Sequence, residues 1–215
     1  MHGTVEKIDP VRYISNFSSG KMGLSLANAA FNMGAEVTFV STFKAKVPFK
    51  NIVTPSAEEM LEVVSELTPL QDCVIMAAAV ADWKVKNYSD NKVKKGASDY
   101  WTIELTKNPD ILQTICANRK SASPIIVGFA AESQNLLEYA KSKIKSKGCD
   151  FIIANDISKQ NSGFASDYNE IYIIDKYLNT KFVEHSTKDE IAKIILEKLF
   201  EQKLSDIKVG SSCTA

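Results

Sequence analysis

The sequence has 215 residues, of which 45% are hydrophobic, and its 26 basic and 26 acidic side chains leave a formal net charge of zero. This size predicts one domain with its own core, at residues 1–207, followed by a disordered tail at 208–215. The charge balance argues against a nucleic-acid or acidic-membrane partner. No apolar run approaches the roughly 20 residues of a membrane span, and no signal-peptide core is present, so we expect a cytoplasmic protein. We expect reduced thiols at the four cysteines, which lack metal-ligand spacing: Cys73, Cys116, Cys149 and Cys213.

The first half of the chain starts with a polar loop and then alternates helical and apolar segments. Its helical periodicity predicts helices at residues 21–33 and 57–67, and Ser56 and Glu59 form a capping box before the second helix. Runs of apolar, β-branched residues predict strands at 36–40, 52–54 and 73–78. The segment 83–98 is polar and rich in lysine, so it is expected to be an exposed, mobile loop.

The second half continues this alternation. Strands are expected at residues 101–105, 125–129 and 151–155, and a hairpin at 170–175 and 181–183. Asn108 and Pro109 are expected to cap and begin a helix, and further helices are expected at 135–147 and 188–204. Alternating strands and helices predict an α/β protein with a Rossmann-like three-layer fold. A parallel sheet would carry helices on both faces, with the hairpin as a small extension.

The loop before the first helix has the composition of an anion-binding loop. Gly20 and Gly23 let backbone N–H groups approach a ligand, and the positive end of the helix dipole points to the same place. The serine hydroxyls could cap the helix or donate to phosphate oxygens. An ordinary capped helix explains each polar residue singly, but a ligand better explains them as a group: Arg12, Asn16, Ser18, Ser19 and Lys21.

Other polar residues follow the ends of expected strands or begin helices. Asp82 comes directly after a buried strand, where α/β proteins bind their ligands. Lys143 and Lys147 are spaced i,i+4, so both ammonium groups lie on one helix face and could bracket a polyphosphate. By itself this spacing favours a solvated basic face over a phosphate site by about two to one. The same preference applies to Lys92, Lys94 and Lys95. Neither histidine lies near a candidate nucleophile, which argues against a hydrolase triad.

Six ordered segments resemble phosphopantothenate–cysteine ligase, the CoaB enzyme or domain of coenzyme A biosynthesis. They read DPVRYISNFSSGKMG, AAAVADW, KVKK, NPDI, VGFAAES and ANDIS, and the resemblance spans residues 3–199. It implies that CTP activates the carboxylate of 4′-phosphopantothenate as an acyl-cytidylate, with release of pyrophosphate. The amine of cysteine then displaces CMP and forms the amide. The family also implies Mg²⁺ and a homodimer, but the motifs name no metal ligand.

The resemblance further implies a nucleotide site. In this site Asp82 would read the cytidine together with the backbone of two alanines, and Lys143 and Lys147 would hold the phosphates. The implied nucleotide-binding residues are Ser18, Ala77, Ala78, Asp82, Lys92, Asn108, Pro109, Asp110, Ile111, Phe129, Lys143 and Lys147.

The implied catalytic residues are Lys92, which would promote formation of the acyl-cytidylate, and Asn16, which would handle that intermediate. Arg12 would contact phosphopantothenate, together with Asn16 and Ala79, and a second subunit could contribute to this contact. A lysine on a mobile loop suits its role because it can close over CTP once the site is filled.

One departure from the family concerns the start of the chain. Family members enter the first motif from a β-strand that ends in a glycine-rich turn just before Thr4, whereas only Met1, His2 and Gly3 precede Thr4 here. We therefore expect the first, central strand to be missing. The chain would then be a truncated product, or the carboxyl-terminal part of a fusion with a flavin-dependent phosphopantothenoylcysteine decarboxylase.

Two other functions compete with the ligase. The loop at 18–23 and the Tyr139-x-x-x-Lys143 spacing resemble a short-chain NAD(P)-dependent reductase, in which Lys143 would lower the pKa of Tyr139. Against this reading, the strand that ends at residues 40–42 lacks the acidic residue that usually binds the NAD ribose. The second alternative is a truncated nucleotide-binding domain that no longer catalyses.

Overall fold

A computed structural model of the chain describes residues 3–96, 98–132, 134–156, 158 and 166–211. His2, Cys213 and motif positions 133 and 157 lie outside these residues, as does 212–215 of the expected tail. The helices are α1 (Lys21–Asn32), α2 (Ala57–Leu67), α3 (Ile111–Asn118), α4 (Leu136–Lys147) and α5 (Lys188–Ser211). The strands are β1 (Val5–Lys7), β2 (Tyr13–Ser15), β3 (Thr38–Ser41), β4 (Lys50–Val53), β5 (Cys73–Met76), β6 (Trp83–Val85), β7 (Leu105–Lys107), β8 (Ile125–Glu132), β9 (Phe151–Asp156), β10 (Tyr168–Asp175) and β11 (Thr180–Thr187).

A five-stranded sheet with the order β11-β10-β9-β8-β5 forms the centre of the molecule. Strands β5, β8 and β9 are parallel, whereas β10 runs antiparallel to both β9 and β11. Neighbouring side chains of β8 point to opposite faces, so Ile125 and Val127 join one core and Ile126 joins the other. The α/β class is confirmed, but the sheet is mixed because the expected hairpin, β10–β11, is part of it.

Helices cover both faces of this sheet, as expected for a three-layer fold. Leu26 of α1 and Ile195 of α5 pack on one face, whereas Met60 of α2, Ile115 of α3 and Ile144 of α4 pack on the other. Helix α3 lies so close to β8 that a Cβ at Gly128 would fall within 2.5 Å of a Leu112 methyl carbon. This close packing fixes the start of α3 next to the sheet.

Three smaller strand pairs surround the central sheet. They are the antiparallel pairs β1–β2 and β6–β7 and the parallel pair β3–β4. The segment expected to be a loop at 83–98 therefore begins with a strand, and the strand expected at 101–105 forms at Leu105–Lys107 instead. Both differences arise because β6 and β7 are short strands that, among the described residues, pair only with each other. Local sequence patterns do not reveal such pairing.

A cleft of about 890 Å³ lies between β3 and β5 and is also lined by α1 and α5. Gly23 of α1 lies beside it, 3.7 Å from the Phe39 ring and 3.9 Å from Ala77 when a Cβ is built at this position. Within the described residues, β5 pairs with β8 alone, and β3 pairs with β4 alone. The described part of the chain therefore places no strand in this cleft.

The last helix continues to Ser211, past the boundary expected at residue 207. Among the described residues, Cys116 and Cys149 are free thiols, as expected. Burial raises the pKa of Cys149 to about 12, so this thiol stays protonated at neutral pH. No helix of the described ranges combines the length and apolar character needed to cross a membrane.

Candidate functional site

The segment that follows β5 is fixed by the first residues of the chain. The Thr4 N–H donates to the Ala79 carbonyl at 3.2 Å, and the Ala81 N–H donates to the Thr4 hydroxyl at 2.8 Å. Asn16 Nδ2 donates to the Val80 carbonyl at 3.0 Å. The expected substrate residues Asn16 and Ala79 thus lie together at the carboxyl end of β5, where ligands bind in open α/β sheets.

Asn108 connects this segment to the start of α3. Its backbone N–H donates to the Asp82 carbonyl at 2.9 Å, and its Nδ2 donates to the Ala81 carbonyl at 2.8 Å. Asn108 is therefore not the helix cap that the sequence predicts. Asp110 caps α3 instead, because its Oδ1 accepts from the Gln113 N–H at 2.9 Å. Pro109 lies between these two residues, and Asp82, whose carbonyl Asn108 contacts, is exposed.

The two lysines of α4 contact other residues of the expected nucleotide site. Lys143 Nζ donates to the Phe129 carbonyl at 2.9 Å, and Lys147 forms an ion pair with Asp110. Burial alone would raise the pKa of Asp110, but the hydrogen bond from Lys147, together with that from the Gln113 N–H, leaves it below its usual value. Two ammonium groups and the N-terminus of α3 lie in this region, although the Asp110 carboxylate already pairs with Lys147 and caps the helix.

Ser18 and Gly20 line the cleft between β3 and β5, together with Ala77 and Ala78. The N-cap of α1 is Gly20, with φ at 68° and no side chain of its own to cap the helix. Ser19 Oγ accepts from the Lys21 N–H, the first of the helix, at 3.5 Å. Ser18 Oγ accepts from the Gly20 N–H at 3.3 Å. Lys21 forms an ion pair with Asp167 at 2.6 Å, so the ammonium that was expected to hold an anion already has a carboxylate neighbour.

The lysine-rich loop lies against the turn between β1 and β2. Arg12 Nη2 donates to the Val93 carbonyl at 2.8 Å, and the Arg12 guanidinium stacks 4.5 Å from the centre of the Trp101 ring. Lys92, next to Val93, is exposed. The expected residues Arg12 and Lys92 are therefore neighbours, although they lie far apart in the sequence.

The structure also shows two residues that sequence reasoning missed. A Cβ at Gly3 would lie 2.6 Å from the Asn16 carbonyl and 3.0 Å from the Ala79 carbonyl. The buried carboxylate of Asp9 accepts from the backbone N–H groups of Val11, Arg12 and Val93. The Asp-Pro dipeptide could have indicated the turn at Asp9, but no local signal predicts its contact with residue 93.

The hydrogen bonds thus join the expected residues into three groups. One contains Asn16, Ala79 and Val80, a second contains Asp82 and Asn108, and a third contains Asp110, Phe129 and the lysines of α4. The first two meet along residues 79–82, and the chain continues directly from Asn108 to Asp110. The nucleotide-binding and catalytic roles of these residues remain predictions.

This arrangement agrees with a comparison against known families. The model of the DNA/pantothenate metabolism flavoprotein C-terminal domain matches residues 2–202 of the chain. The chain belongs to this family. Two relatives are bifunctional coenzyme A biosynthesis proteins named CoaBC. The protein from Borreliella burgdorferi is 42% identical over 92% of this chain and 50% of its own length, and that from Escherichia coli is 44% identical over 79% and 43%.

Another relative, from an unknown prokaryotic organism, is named cysteine/cysteine sulfinic acid decarboxylase and is 40% identical over 91% of this chain and 55% of its own length. The chain thus spans about half the length of the curated relatives that it matches. The crystal structure of the C-terminal domain of CoaBC superimposes with a TM-score of 0.78 and 35% identity, covering 95% of this chain and 93% of that domain. A Cab2 mutant in complex with phosphopantothenate-cysteine shares the fold, with a TM-score of 0.72 and 16% identity over 99% of this chain and 86% of that one.

Proposed function

We propose that this DNA/pantothenate metabolism flavoprotein C-terminal domain is a phosphopantothenate–cysteine ligase that uses CTP. The observation that carries the proposal is a set of contacts in a member of this family. Asn108 contacts the Ala79–Asp82 segment, and the α4 lysines contact Asp110 and Phe129. Family membership favours the ligase over the reductase. The Lys143 ammonium also donates, at 2.9 Å, to the carbonyl of Phe129, which lies in the VGFAAES motif of the ligase family.

The nucleotide would lie along the carboxyl ends of β5 and β8. The backbone of Ala77 and Ala78 and the carboxylate of Asp82 would read the cytidine. The N-terminus of α3 and the ammonium groups of Lys143 and Lys147 would hold the phosphates. Because Lys147 is paired with Asp110, a phosphate that binds Lys147 must compete with this carboxylate.

The reaction would occur beside the loop that carries Lys92. A carboxylate oxygen of phosphopantothenate attacks the α-phosphorus of CTP, and pyrophosphate leaves. The cysteine nitrogen then attacks the acyl carbon, loses a proton, and CMP leaves. The Lys92 ammonium would stabilise the charge that develops during the first step, and Asn16 would bind the acyl-cytidylate. Arg12 would bind the phosphate of phosphopantothenate, with Ala79 beside it.

Mg²⁺ would screen the charge of the triphosphate when it is bound. No group of three or more His, Cys, Asp or Glu side chains within the described ranges is arranged to hold a metal ion. The side chains of the described residues therefore fit Mg²⁺ only as an ion that keeps water and phosphate ligands and contacts one or two carboxylates.

A test of the proposal is the release of pyrophosphate from CTP, phosphopantothenate and cysteine. We expect Lys92→Gln to slow acyl-cytidylate formation by about 100-fold or more, because a charge that stabilises the transition state is lost. Acyl-cytidylate formation should be affected more than the binding of CTP. Lys95→Gln on the same loop is the matched control and should retain the wild-type rate. Unchanged turnover in Lys92→Gln would refute the assigned role.

Measurements on the wild-type protein separate the remaining alternatives. Binding of CTP without release of pyrophosphate would support the non-catalytic domain. A fluorescence change with NADPH, and none with CTP, would support the reductase. A titration that compares CTP with ATP would establish the nucleotide preference.

The full-length relatives suggest which other domain accompanies this one. Because they are named bifunctional proteins, we propose that the ligase domain is fused to, or associates with, a flavin-dependent phosphopantothenoylcysteine decarboxylase in the cytoplasm. A homodimer is part of the same proposal. Light scattering of the purified protein would measure the oligomeric state, and a monomer at all concentrations would contradict it.

A further inference from the structure

The turn between β1 and β2 contains a carboxylate that is almost completely buried. Asp9 is 1% exposed, and five N–H donors reach its two oxygens. Oδ1 accepts from the N–H groups of Val11 at 2.8 Å and Arg12 at 2.9 Å. Oδ2 accepts from the Arg12 guanidinium and from the Val93 N–H, the latter at 3.1 Å. A buried charge needs such partners, and here one of them comes from a distant loop.

Asp9 and Arg12 together hold both backbone polar groups of Val93. The Val93 N–H donates to Asp9, and the Val93 carbonyl accepts from Arg12 Nη2 at 2.8 Å. A second contact secures the start of the same loop, because the Ser89 N–H donates to the Ile8 carbonyl at 3.1 Å. The loop is therefore attached to the turn at two points, Ser89 and Val93, and Lys92 lies between them. At Val93 both backbone polar groups are held.

We infer that Asp9 is a positioning residue, which holds the loop so that Lys92 faces the substrate site. This inference rests on the proposed function, because it assigns Asp9 a role in that reaction. Fixing the backbone at residue 93 restricts the positions that the neighbouring Lys92 ammonium can reach. Such restriction raises the rate, since small misplacements of a catalytic group are costly.

The charge of Asp9 supports this role. The Arg12 guanidinium, aided by the backbone donors, holds the pKa of Asp9 well below its usual range, so the carboxylate is ionised at any working pH. An asparagine would keep the size of the side chain and an oxygen that can accept. It could not serve all five donors, because its amide nitrogen is itself a donor. Asp9→Asn therefore weakens the attachment of the loop with little change in volume.

Limited trypsin digestion measures the attachment without any substrate. The loop offers trypsin three sites, at Lys92, Lys94 and Lys95, and we expect Asp9→Asn to increase cleavage there by about 10-fold or more under native conditions. Asp90→Asn, an exposed change on the same loop, is the control and should leave the cleavage rate unchanged. Equal cleavage of Asp9→Asn and the wild type would overturn the inference.

Kinetics measure the positioning. In single turnovers with CTP and phosphopantothenate, we expect Asp9→Asn to slow acyl-cytidylate formation by about 10-fold or more, with CTP affinity nearly unchanged. If Asp9 acts through Lys92, the Asp9→Asn, Lys92→Gln double variant should be no slower than Lys92→Gln alone. Additive losses, or a normal rate in Asp9→Asn, would overturn the role.

Two safeguards keep the results separable. If Asp9→Asn does not fold, Val93→Pro, which lacks the N–H that donates to Asp9, should increase cleavage at Lys94 and Lys95, because trypsin does not cut before proline at Lys92. If the wild type makes no acyl-cytidylate, the proposed function fails, and the digestion still reports whether Asp9 holds the loop. Increased cleavage without a kinetic effect in an active enzyme would contradict the positioning role alone.

Discussion

Gly3 lies where any side chain would collide with the backbone of the candidate substrate site. A Cβ at this position would approach the carbonyl oxygens of Asn16 and Ala79 to 2.6 and 3.0 Å, and neither backbone oxygen can move without displacing its own segment. We expect Gly3→Ala to lower the free energy of unfolding by about 1–3 kcal/mol. Because Asn16 and Ala79 would shift, pyrophosphate release should also slow. Chemical denaturation and the ligase assay measure the two effects.

The control for this substitution is Gly96→Ala. No atom lies within 4 Å of a Cβ built at Gly96, so this variant should match the wild type in both measurements. Wild-type stability and activity in Gly3→Ala would show that the N-terminal segment adjusts freely, which would contradict its role in fixing the site.

The sequence motifs indicated most candidate residues, but not how they are held. Asp82 was recognisable because it follows a buried strand, and Lys143 and Lys147 because of their helical spacing. The role of Asp9 could not be derived, because its decisive partner is the backbone of Val93, 84 residues away. Asn108 was mistaken for a helix cap for a related reason. Its amide is used by the Ala81 carbonyl, a partner that local capping rules do not consider.

Among the elements, those with strong local signals formed where the sequence placed them. Helix α2 spans Ala57–Leu67 with the expected capping box, and helix α4 ends at Lys147 before Gly148. The buried strands β8 and β9 also begin at the expected residues. The strands β6 and β7 were misplaced because three-residue strands depend on their tertiary partner rather than on periodicity. The mixed direction of the sheet likewise follows from tertiary packing.

The N-terminus of α2 provides a prediction at this scale. Ser56 Oγ accepts from the Glu59 N–H at 3.3 Å, and Glu59 Oε2 accepts from the Ser56 N–H at 3.1 Å. The Ala57 N–H donates to Glu6 of β1 at 3.0 Å, so the helix start is also tied to the strand. We expect Ser56→Ala to lower the free energy of unfolding by about 1 kcal/mol, because an N–H of the first turn loses its acceptor.

Urea denaturation of Ser56→Ala and of a matched variant tests this expectation. Ser65→Ala, inside the same helix, removes a hydroxyl without removing the cap and should leave the stability equal or slightly higher, since alanine favours helices. Equal midpoints for Ser56→Ala and Ser65→Ala would mean that the capping box contributes nothing to the stability of the domain.

At the scale of the whole molecule, the described residues form a well-packed sheet next to an open one. Strands β8 and β9 have paired strands on both sides and helices on both faces, and Ile126, Val127 and Ile152 are fully buried. Strand β3, by contrast, pairs with β4 alone and borders the cleft of about 890 Å³. Parts of a protein with few buried contacts open at lower free energy than its core.

We therefore expect amide hydrogens of Thr38–Ser41 to exchange with solvent faster than those of Ile125–Ala130 and Phe151–Ala154, after correction for intrinsic rates. Native-state hydrogen exchange resolved by mass spectrometry measures this difference, and mild urea should lower the protection of β3 before that of β8 and β9. The internal control is β10, which pairs with strands on both sides and should exchange as slowly as β9. Equal protection of β3 and β8 at every urea concentration would show that both sheets open together, and the cleft would then have no influence on local stability.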